Sequence, residues 1–382
     1  IFQRANAPYK ILVQDYFTSF SPETFIQIQG NEIASFPMKG TLEVSVGLSE
    51  ASLQNDPKEK AEHATIVDLI RNDLSKVAYP IQVEKYQYVE KVKTNTGELW
   101  QMSSKITGSL MPAFEQKFGS IEIYNGNLAP GVTNAFFAMD RAIEIAKSTG
   151  LGLVSLNNTT HWMRGGTYGW HAANQGMIGI CWTNTESCMP AWGATSASIG
   201  NNPFVIAIPR QEGHVVLDMA MSQYSYGKLE NTRLNNEKLP YAGGFDSEGL
   251  LTDDPGEIEK TRRILPTGYW KGSSFAIMLD LLASLLSNGK TTAAIDPYGY
   301  GNCGGCSQVF IAIDPLKMND QPFVDQVLKQ TIDQLKQASP VAEGGEILYP
   351  GERSFKNRRE NLIKGVPVHD SVWENVKKLA RL

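Results

Sequence analysis

This sequence has few cysteines. It also lacks a surplus of basic residues and any long apolar run. Four Cys among 382 residues indicate a reducing compartment rather than a disulfide scaffold, so we expect a cytoplasmic protein. Thirty-five Lys and Arg against forty Asp and Glu give a net charge of −5. Nucleic acids and anionic membranes both select basic surfaces, so we predict neither as a partner. The nearest approach to a membrane span, residues 274–286, is interrupted by Asp280 and predicts a buried amphipathic helix.

Enough apolar residues remain to build a core, since they make up 42% of the chain, and the length suggests two domains. Strand patterns alternate with helix patterns through most of the sequence, which predicts an α/β fold. Asp56 and Pro57 predict the N-cap and first turn of a helix that runs to about Val77. We expect its buried side to carry Ile66, Leu69, Ile70, Leu74 and Val77.

The pattern changes across a mixed stretch at residues 110–127, which we predict as the domain boundary. Before it, we expect strands at residues 81–92 and 98–106. Beyond it, we predict strands at residues 151–156, 178–182, 204–208, 215–219 and 309–313. We predict helices there at residues 134–149, 167–175, 274–286 and 322–337. The two parts of the chain are therefore residues 1–118 and residues 119–382.

Charged side chains recur at ordered positions in the first part. The Glu62 carboxylate lies near a helix start and can hold Mg²⁺, which prefers oxygen ligands. Lys39 and Arg71 can bind carboxylates, Arg in a bidentate way. These residues belong to four short motifs, at residues 21–23, 38–41, 61–63 and 68–74. For each motif taken singly, a capped helix end or a surface ion pair is the alternative explanation.

Taken together, these motifs resemble the chorismate-binding enzymes. The resemblance implies that Glu62 and His63 lie in an active site, that Glu62 helps to hold Mg²⁺, and that Lys39 lies near chorismate. The family's second Mg²⁺-binding Glu and its carboxylate-binding Arg-Gly-x-Tyr stretch do not follow, and one carboxylate alone binds Mg²⁺ poorly. We therefore expect no chorismate chemistry. A chorismate-using lyase or aminotransferase remains the alternative to the function predicted below for the second part.

Three features of the second part suggest a mechanism. His161 and Arg164 follow a buried strand, where Arg can pair a substrate carboxylate and His can donate to an oxygen. A structural His beside a surface Arg is the alternative. Asp218 ends another strand and can accept ribose hydroxyls or cap a turn. Residues 267–272 join aromatic rings and a cation before a helix, and can hold a nucleotide phosphate or form an exposed turn.

Two further patterns are misleading. Residues 299–304 match the dinucleotide pattern G-x-G-x-x-G, but that pattern needs a strand before it and a helix after it. Here a strand is predicted to follow, at residues 308–313, so we expect a glycine loop instead. Cys303 and Cys306 form a C-x-x-C pair with no second pair at zinc spacing, so we predict no zinc site there.

The second part resembles the malate/L-lactate dehydrogenase family through residues 161–166, 179–184, 225–227, 262–266, 268–272 and 370–373. The resemblance implies an α/β, mixed-sheet, non-Rossmann NAD(P)-binding reductase fold, preceded by the partial α/β chorismate-type segment. It also implies NAD(H) or NADP(H) as cofactor, a homodimer, and a position near the substrate for His161. The implied cofactor-binding residues are His214, Val215, Val216, Leu217, Asp218, Met219, Ala220, Trp270, Lys271, Gly351, Glu352 and Arg353.

One departure from that family concerns the proton donor. The resemblance implies a catalytic His in a Ser-His-Gly motif, yet none of the five His has Ser before it and Gly after it. Losing a general acid typically slows a reaction by about 10²–10⁴. We predict a rate-impaired NAD(P)H-dependent reductase of small 2-keto acids or keto sugar acids, with His161 and Arg164 as catalytic residues. Residues 162–166 favour a diketogulonate-like substrate, and an inactive fusion that at most binds nucleotide is the remaining alternative.

Overall fold

The computed structural model describes residues 9–13, 17–21, 24–29, 32–44, 49–75, 77–93, 97–110, 112–299, 301, 303–341 and 344–379. The chain forms two compact units, Ile1–Ala113 with Gly126–Thr133, and Phe114–Asn125 with Asn134–Leu382. Two of the sequence motifs fall partly outside the described residues, at positions 22 and 23 and at positions 300 and 302. The division between residues 118 and 119 stays a prediction.

The first unit combines antiparallel strands with two helices. Its elements are β1 (Tyr9–Val13), β2 (Phe17–Ser21), β3 (Gln27–Gln29), β4 (Glu32–Ser35), β5 (Met38–Glu43), α1 (Glu50–Gln54), α2 (Pro57–Leu74), β6 (Ala78–Lys93) and β7 (Glu98–Leu110). Strands β3, β4, β7 and β5 lie side by side in that order, and β6 pairs antiparallel with β7. Strands β6 and β7 confirm the two strands predicted from their Val, Tyr, Trp and Thr content.

Helix α2 begins where the sequence predicts, with Asp56 as its N-cap. The Asp56 carboxylate accepts hydrogen bonds from two backbone N–H groups of the first turn, which otherwise lack partners at a helix start. The helix ends at Leu74 rather than Val77, and the prediction that Leu69 and Val77 are buried is wrong, because both are exposed. The buried stripe instead follows the i, i+4, i+7, i+11 spacing through His63, Val67, Ile70 and Leu74.

The second unit contains more elements. Its strands are β8 (Ala113–Phe118), β9 (Ile121–Asn125), β10 (Leu151–Thr159), β11 (Ile178–Thr183), β12 (Met189–Pro190), β13 (Ala197–Ile199), β14 (Phe204–Ile208), β15 (Val215–Met219), β16 (Gly244–Phe245), β17 (Leu251–Thr252) and β18 (Cys306–Ile313). Its helices are α3 (Gly131–Thr149), α4 (Gly166–Asn174), α5 (Tyr226–Leu234), α6 (Pro255–Thr261), α7 (Trp270–Ser287), α8 (Thr292–Ile295), α9 (Gln321–Gln337), α10 (Glu352–Lys364) and α11 (Asp370–Leu379).

A seven-stranded mixed sheet forms the centre of this unit, in the order β15-β14-β11-β18-β10-β9-β8. Strands β9 and β10 pair in parallel, whereas the pairs from β10 through β18, β11 and β14 to β15 are antiparallel. A doubly wound dinucleotide-binding sheet is mostly parallel, so the prediction of a mixed α/β fold is confirmed. Strand β18 follows the glycine loop, as expected, in place of the helix that a G-x-G-x-x-G motif requires.

Helices cover both faces of the mixed sheet. Helices α3 and α4 pack on one face, in a cluster that includes Phe310 of β18. Helix α7 packs on the other face, in a cluster that includes the neighbouring Val309. Successive strand residues point to opposite faces, so the two clusters are the two cores of a three-layered unit.

Helix α7 is buried on one side only. Its small residues Ala276 and Ala283 are buried against the sheet, whereas a second apolar side is exposed at Phe275, Met278, Leu281, Leu282 and Leu285. The prediction of a buried helix is therefore wrong for that second side, because helical periodicity does not tell which faces have a neighbour. Across the described part of the chain, no helix is both long enough and apolar enough to cross a membrane.

Candidate active site

Arg164 and Asp218 meet where the loop after β10 enters helix α4. Arg164 Nε donates to Asp218 Oδ2 at 3.0 Å, and Arg164 Nη2 donates to Ser354 Oγ at 3.4 Å. Strand β15 supplies Asp218, and the first turn of α10 supplies Ser354. Three segments far apart in sequence are therefore joined through one guanidinium, whose planar set of five N–H donors suits such a role.

Two glycines allow these segments to approach each other. A Cβ placed on Gly166 would lie 2.3 Å from Asp218 Oδ2, closer than any side chain permits. Gly351 has a φ of +91°, and a Cβ there would lie 3.0 Å from Val216 N. The adjacent Pro350 carbonyl accepts a hydrogen bond from Val216 N at 2.8 Å. Only glycine tolerates both the positive φ and the close approach found at Gly351. The glycine at this position therefore allows the chain before α10 to pack against strand β15.

The junction borders two cavities that share part of their walls. The smaller, of about 210 Å³, is lined among others by Arg164, Trp170, Leu217, Asp218, Gly351 and Ser354. The larger, of about 1150 Å³, shares Arg164, Trp170 and Ser354 and adds Arg210, Arg358 and His214. Its described lining contains no Asp or Glu side chain. Cationic walls without carboxylates favour an anionic ligand such as a phosphate or a carboxylate.

The structure gathers part of the predicted site. Arg164, Val216, Leu217, Asp218 and Gly351 line the smaller cavity, and His214 lines the larger one. The predicted residues outside the described linings of both cavities are His161, Val215, Met219, Ala220, Trp270, Lys271, Glu352 and Arg353.

The outlying residues have other surroundings. Trp270 and Lys271 form the first turn of α7, on the opposite face of the sheet from α4, and the Trp270 ring is exposed. Glu352 accepts hydrogen bonds from Lys336 Nζ at 2.6 Å and from Tyr349 N at 3.1 Å. Those bonds give Glu352 a role in holding the chain that enters α10.

His161 is held in one protonation form by its own loop. Met163 N donates to His161 Nδ1 at 3.0 Å, in a turn where Met163 has a φ of +65°. An Nδ1 that accepts a hydrogen bond leaves the proton of a neutral imidazole on Nε2. Burial of part of the ring lowers the pKa of His161, and the negative charge of Glu186 partly opposes that shift. His161 therefore presents a neutral Nε2–H donor near pH 7.

His214 is also neutral and lies in the wall of the larger cavity. Arg210 N donates to His214 Nδ1 at 3.0 Å, and His214 Nε2 donates to Asn174 Oδ1 at 2.9 Å. Burial lowers the pKa of His214. Its ring lies 5.1 Å from that of Trp170, which stacks on Phe355 at 6.1 Å. The His214 imidazole thus supports the stacked rings of Trp170 and Phe355 in the cavity wall, and adds no charge to the cavity.

Sequence reasoning missed Trp170 and Ser354, although both line the two cavities. Helical spacing contained the signal. Trp170 lies four residues after Gly166 in α4, and Ser354 lies three residues after Gly351 in α10. Residues three or four apart share one side of a helix. Trp170 therefore faces the site on the same side of the helix as Gly166, and Ser354 on the same side as Gly351.

The described surroundings of Glu62 do not fit a magnesium site. Lys39 Nζ lies 2.8 Å from Glu62 Oε2, and Lys58 Nζ lies 3.9 Å from Glu62 Oε1. Hydrogen bonding to Lys39 lowers the pKa of Glu62. No group of three His, Cys, Asp or Glu side chains is placed for a metal ion among the described residues. With both oxygens already facing ammonium groups, Glu62 lacks the further oxygen ligands that Mg²⁺ needs.

His63 has a structural position in the same unit. Its Nδ1 donates to the Lys39 carbonyl at 2.9 Å, and Ser104 Oγ donates to its Nε2 at 2.7 Å. Ser104 Oγ in turn accepts from Gln87 N at 3.0 Å. The His63 ring is fully buried, and this burial lowers its pKa. The imidazole therefore joins helix α2 to strand β5, which contains Lys39, and to strands β6 and β7.

The mixed sheet covered by helices on both faces defines an α/β fold, and the cationic cavity at its edge suits an anionic ligand. The chain belongs to the malate/L-lactate dehydrogenase family, whose model matches residues 100–377. It is therefore an oxidoreductase, and membership of this family supports a nicotinamide cofactor. The model of the chorismate binding enzymes matches residues 1–118, which confirms that resemblance for the first part.

Individual proteins that resemble this chain have names that fit this family. The 2,3-diketo-L-gulonate reductase of Escherichia fergusonii is 46% identical over 281 residues, which cover 71% of this chain and 82% of that protein. Malate dehydrogenase from Pyrococcus horikoshii OT3 has a similar structure, with a TM-score of 0.63 and 26% identity over 72% of this chain and 77% of that one. Sulfolactate dehydrogenase from Methanocaldococcus jannaschii gives a TM-score of 0.59 and 29% identity over 71% and 78%.

Proposed function

We propose that the second unit reduces a small 2-keto acid or keto sugar acid, such as 2,3-diketo-L-gulonate, with NADH or NADPH. The observation that carries this proposal is the Arg164–Asp218 pair, in which Arg164 lines both cavities and Asp218 lines the smaller one. It places a cation, a carboxylate and an aromatic ring, that of Trp170, beside space for a dinucleotide and a small acid. The 46% identity to a diketogulonate reductase supports the choice of substrate.

The residues of the smaller cavity suit a nicotinamide cofactor. Asp218 can accept from ribose hydroxyls, and Gly351 lets the backbone approach the ligand closely. Arg210 and Arg358 line the larger cavity, where they can pair phosphate oxygens. When bound, the nicotinamide supplies the hydride for the carbonyl carbon. Trp270 and Lys271 stay predictions as cofactor contacts, since neither lines these cavities.

Arg164 lines both cavities and is the proposed substrate contact, whereas His161 lines neither and stays a prediction as a second one. A guanidinium carries five N–H donors, so Arg164 can hold Asp218 and still donate to a substrate carboxylate. His161 Nε2–H can donate a hydrogen bond to the carbonyl oxygen and so stabilise the negative charge that develops there when hydride is added. A neutral imidazole is a weaker acid than an imidazolium, which fits the expectation of a slow reaction.

We also propose that the protein is a cytoplasmic homodimer. The exposed apolar side of α7, where Leu285 is 78% exposed, suits a surface that a second copy covers. The four cysteines are free thiols, and a reducing compartment would keep them in that form. Light scattering after size exclusion should give the dimer mass, and Leu285→Asp should shift it to the monomer. Val341→Asp, at another exposed apolar residue, is the control that should remain dimeric.

The experiment that tests the activity is NADH oxidation in the presence of 2,3-diketo-L-gulonate. Arg164→Ala should lower kcat/KM by about 10²-fold, as expected for a lost charged hydrogen-bonding partner. Arg233→Ala is the matched control, because Arg233 pairs with Glu259 on the surface at 2.5 Å outside both cavities. Saturable NADH binding without turnover by the wild-type chain would support the inactive fusion instead.

A further inference from the structure

Two thiols, those of Cys303 and Cys306, lie close together at the start of strand β18. Cys306 Sγ donates to the Cys303 carbonyl oxygen at 3.0 Å, which places its sulfur directly beside the Cys303 backbone. The charge of Cys303 also influences the buried thiol of Cys188. The described residues include no group of three His, Cys, Asp or Glu side chains placed for a metal ion.

The turn between Cys303 and Cys306 is short enough to suit a disulfide. Gly304 and Gly305 form the turn between them, and Gly305 has a φ of +82°. The first and last Cα atoms of a four-residue turn lie within about 7 Å, and disulfide-bonded Cα atoms are usually about 4.4–6.8 Å apart. Two glycines give this turn the freedom to adjust during bond formation.

The two thiols differ in access and in acidity. Cys303 is partly exposed, whereas Cys306 is buried. Hydrogen bonding with the Cys306 thiol lowers the pKa of the Cys303 thiol, although burial and Glu186 oppose that shift. Lys290 Nζ lies beside the turn, where it would be 3.3 Å from a Cβ on Gly305. An accessible thiol of lowered pKa beside a buried protonated one is the usual pairing of attacking and resolving cysteines.

The turn also contacts the loop that carries His161. Gly305 N donates to the Thr159 carbonyl at 2.8 Å, and Gln308 Nε2 donates to the Thr160 carbonyl at 3.1 Å. Glu186 accepts from Cys303 N at 3.3 Å, and its negative charge acts on His161. A covalent change in the turn would therefore occur beside a candidate active-site residue.

We propose that Cys303 and Cys306 form a reversible disulfide, a redox modification site at the base of the His161 loop. The oxidant is a small-molecule disulfide such as oxidised glutathione. The Cys303 thiolate attacks one of its sulfurs and expels one thiolate, giving a mixed disulfide. Cys306 then loses its proton and attacks the Cys303 sulfur, which expels the second thiolate. The protein pair loses two electrons and two protons, and the oxidant becomes two thiols.

Peptide mapping of the native full-length chain tests this proposal. After oxidised glutathione, acid quenching and alkylation, trypsin releases residues 291–317 with both Cys303 and Cys306, and residues 165–210 with Cys181 and Cys188. We expect the peptide 291–317 to be lighter by two hydrogen atoms and unalkylated, with two of the four thiols lost. Dithiothreitol should restore both thiols.

Variants separate this pair from its neighbours. Cys303→Ser should abolish the change in peptide 291–317, and Cys181→Ser, at a buried thiol outside this pair, should leave it intact. Cys188→Ser should also leave it intact. A cross-link between the two peptides, or a stable glutathione adduct on Cys303 without loss of the Cys306 thiol, would overturn the proposal. None of these outcomes depends on enzyme activity.

Discussion

Arg164 Nε donates to Asp218 Oδ2 at 3.0 Å across a separation of 54 residues. Arg164 lies in a loop before a helix and Asp218 in an edge strand of the mixed sheet, so their pairing depends on the complete second unit. The pair keeps a carboxylate and a guanidinium fixed in one wall. A site with both charges can select a ligand that carries hydroxyls beside an anionic group.

Asp218→Asn should weaken NADH binding by about tenfold, because hydrogen bonds that involve a charged partner contribute about 1.5–3 kcal/mol. The substitution keeps the shape of the side chain and removes only its charge. Titration calorimetry with NADH measures the change. Asp253→Asn, at a surface carboxylate paired with Lys238 at 3.1 Å, serves as the control and should bind as the wild type does. Equal binding by both variants would remove Asp218 from the cofactor site.

Gly166→Ala should displace Asp218 and weaken NADH binding at least as much, because the added Cβ meets Asp218 Oδ2 at 2.3 Å. Gly227→Ala is the matched control in helix α5, where no atom lies within 4 Å of the added Cβ. There alanine should stabilise the helix by about 0.5–1 kcal/mol. A crystal structure or NADH titration of Gly166→Ala that matches the wild type would contradict the packing at this junction.

Glu122→Gln should lower the free energy of unfolding by about 3–5 kcal/mol, the typical loss when a buried ion pair is broken. Its carboxylate is buried and accepts from Arg141 Nε at 2.6 Å and Arg141 Nη2 at 2.8 Å. Hydrogen bonding to Arg141 lowers the pKa of Glu122 to about 2. The wild-type contribution is therefore complete above about pH 4.5 and is lost as the pH falls through about 2. Urea denaturation measures both effects.

Glu144→Gln supplies the comparison for that experiment. Glu144 binds the same guanidinium at 2.8 Å but is exposed, and exposed pairs contribute little. Its removal should leave the unfolding midpoint almost unchanged. Similar losses for the two variants would mean that burial does not decide the strength of the Glu122 pair.

Protein stability should fall as the pH drops below about 6.5, in part because of His63. Burial lowers the pKa of His63 below its usual 6.5, so the unfolded state binds a proton first and gains stability as the pH falls. The contribution is complete above pH 6.5 and is lost as the pH falls through the folded-state pKa. His63→Gln should flatten this dependence in chemical denaturation, whereas His369→Gln, at an exposed residue, should not. An unchanged slope for His63→Gln would contradict the burial of this ring.

The sequence predicted regular elements well where local signals agree. Strands β14 and β15 match their predicted bounds, since alternating apolar residues lie between clear turns. Helix α2 starts at its predicted cap but buries His63 and exposes Leu69, because polar partners from other strands satisfy the imidazole. The exposed side of α7 was likewise beyond prediction, since it depends on which neighbours are present.

In the candidate site, too, some residues could be predicted from the sequence and others depend on contacts with distant segments. The end of an apolar strand pointed to Asp218 as a ribose-binding or turn-capping residue, and the family resemblance pointed to Gly351. The Arg164–Asp218 bond and the Trp170 wall arise from contacts between distant segments, which local patterns do not encode. The two family matches overlap at residues 100–118.

The most direct measurement is an NADH titration followed by tryptophan fluorescence, with Trp170→Phe and Trp270→Phe beside the wild type. Trp170 lines both cavities, whereas Trp270 lines neither. The wild type should show saturable quenching, Trp170→Phe should lose most of it, and Trp270→Phe should keep it. Absence of quenching up to about 1 mM NADH, the upper end of typical enzyme affinities, would contradict a cofactor site in this unit. Loss of quenching in Trp270→Phe alone would place the cofactor at the start of α7 and away from the Arg164–Asp218 pair.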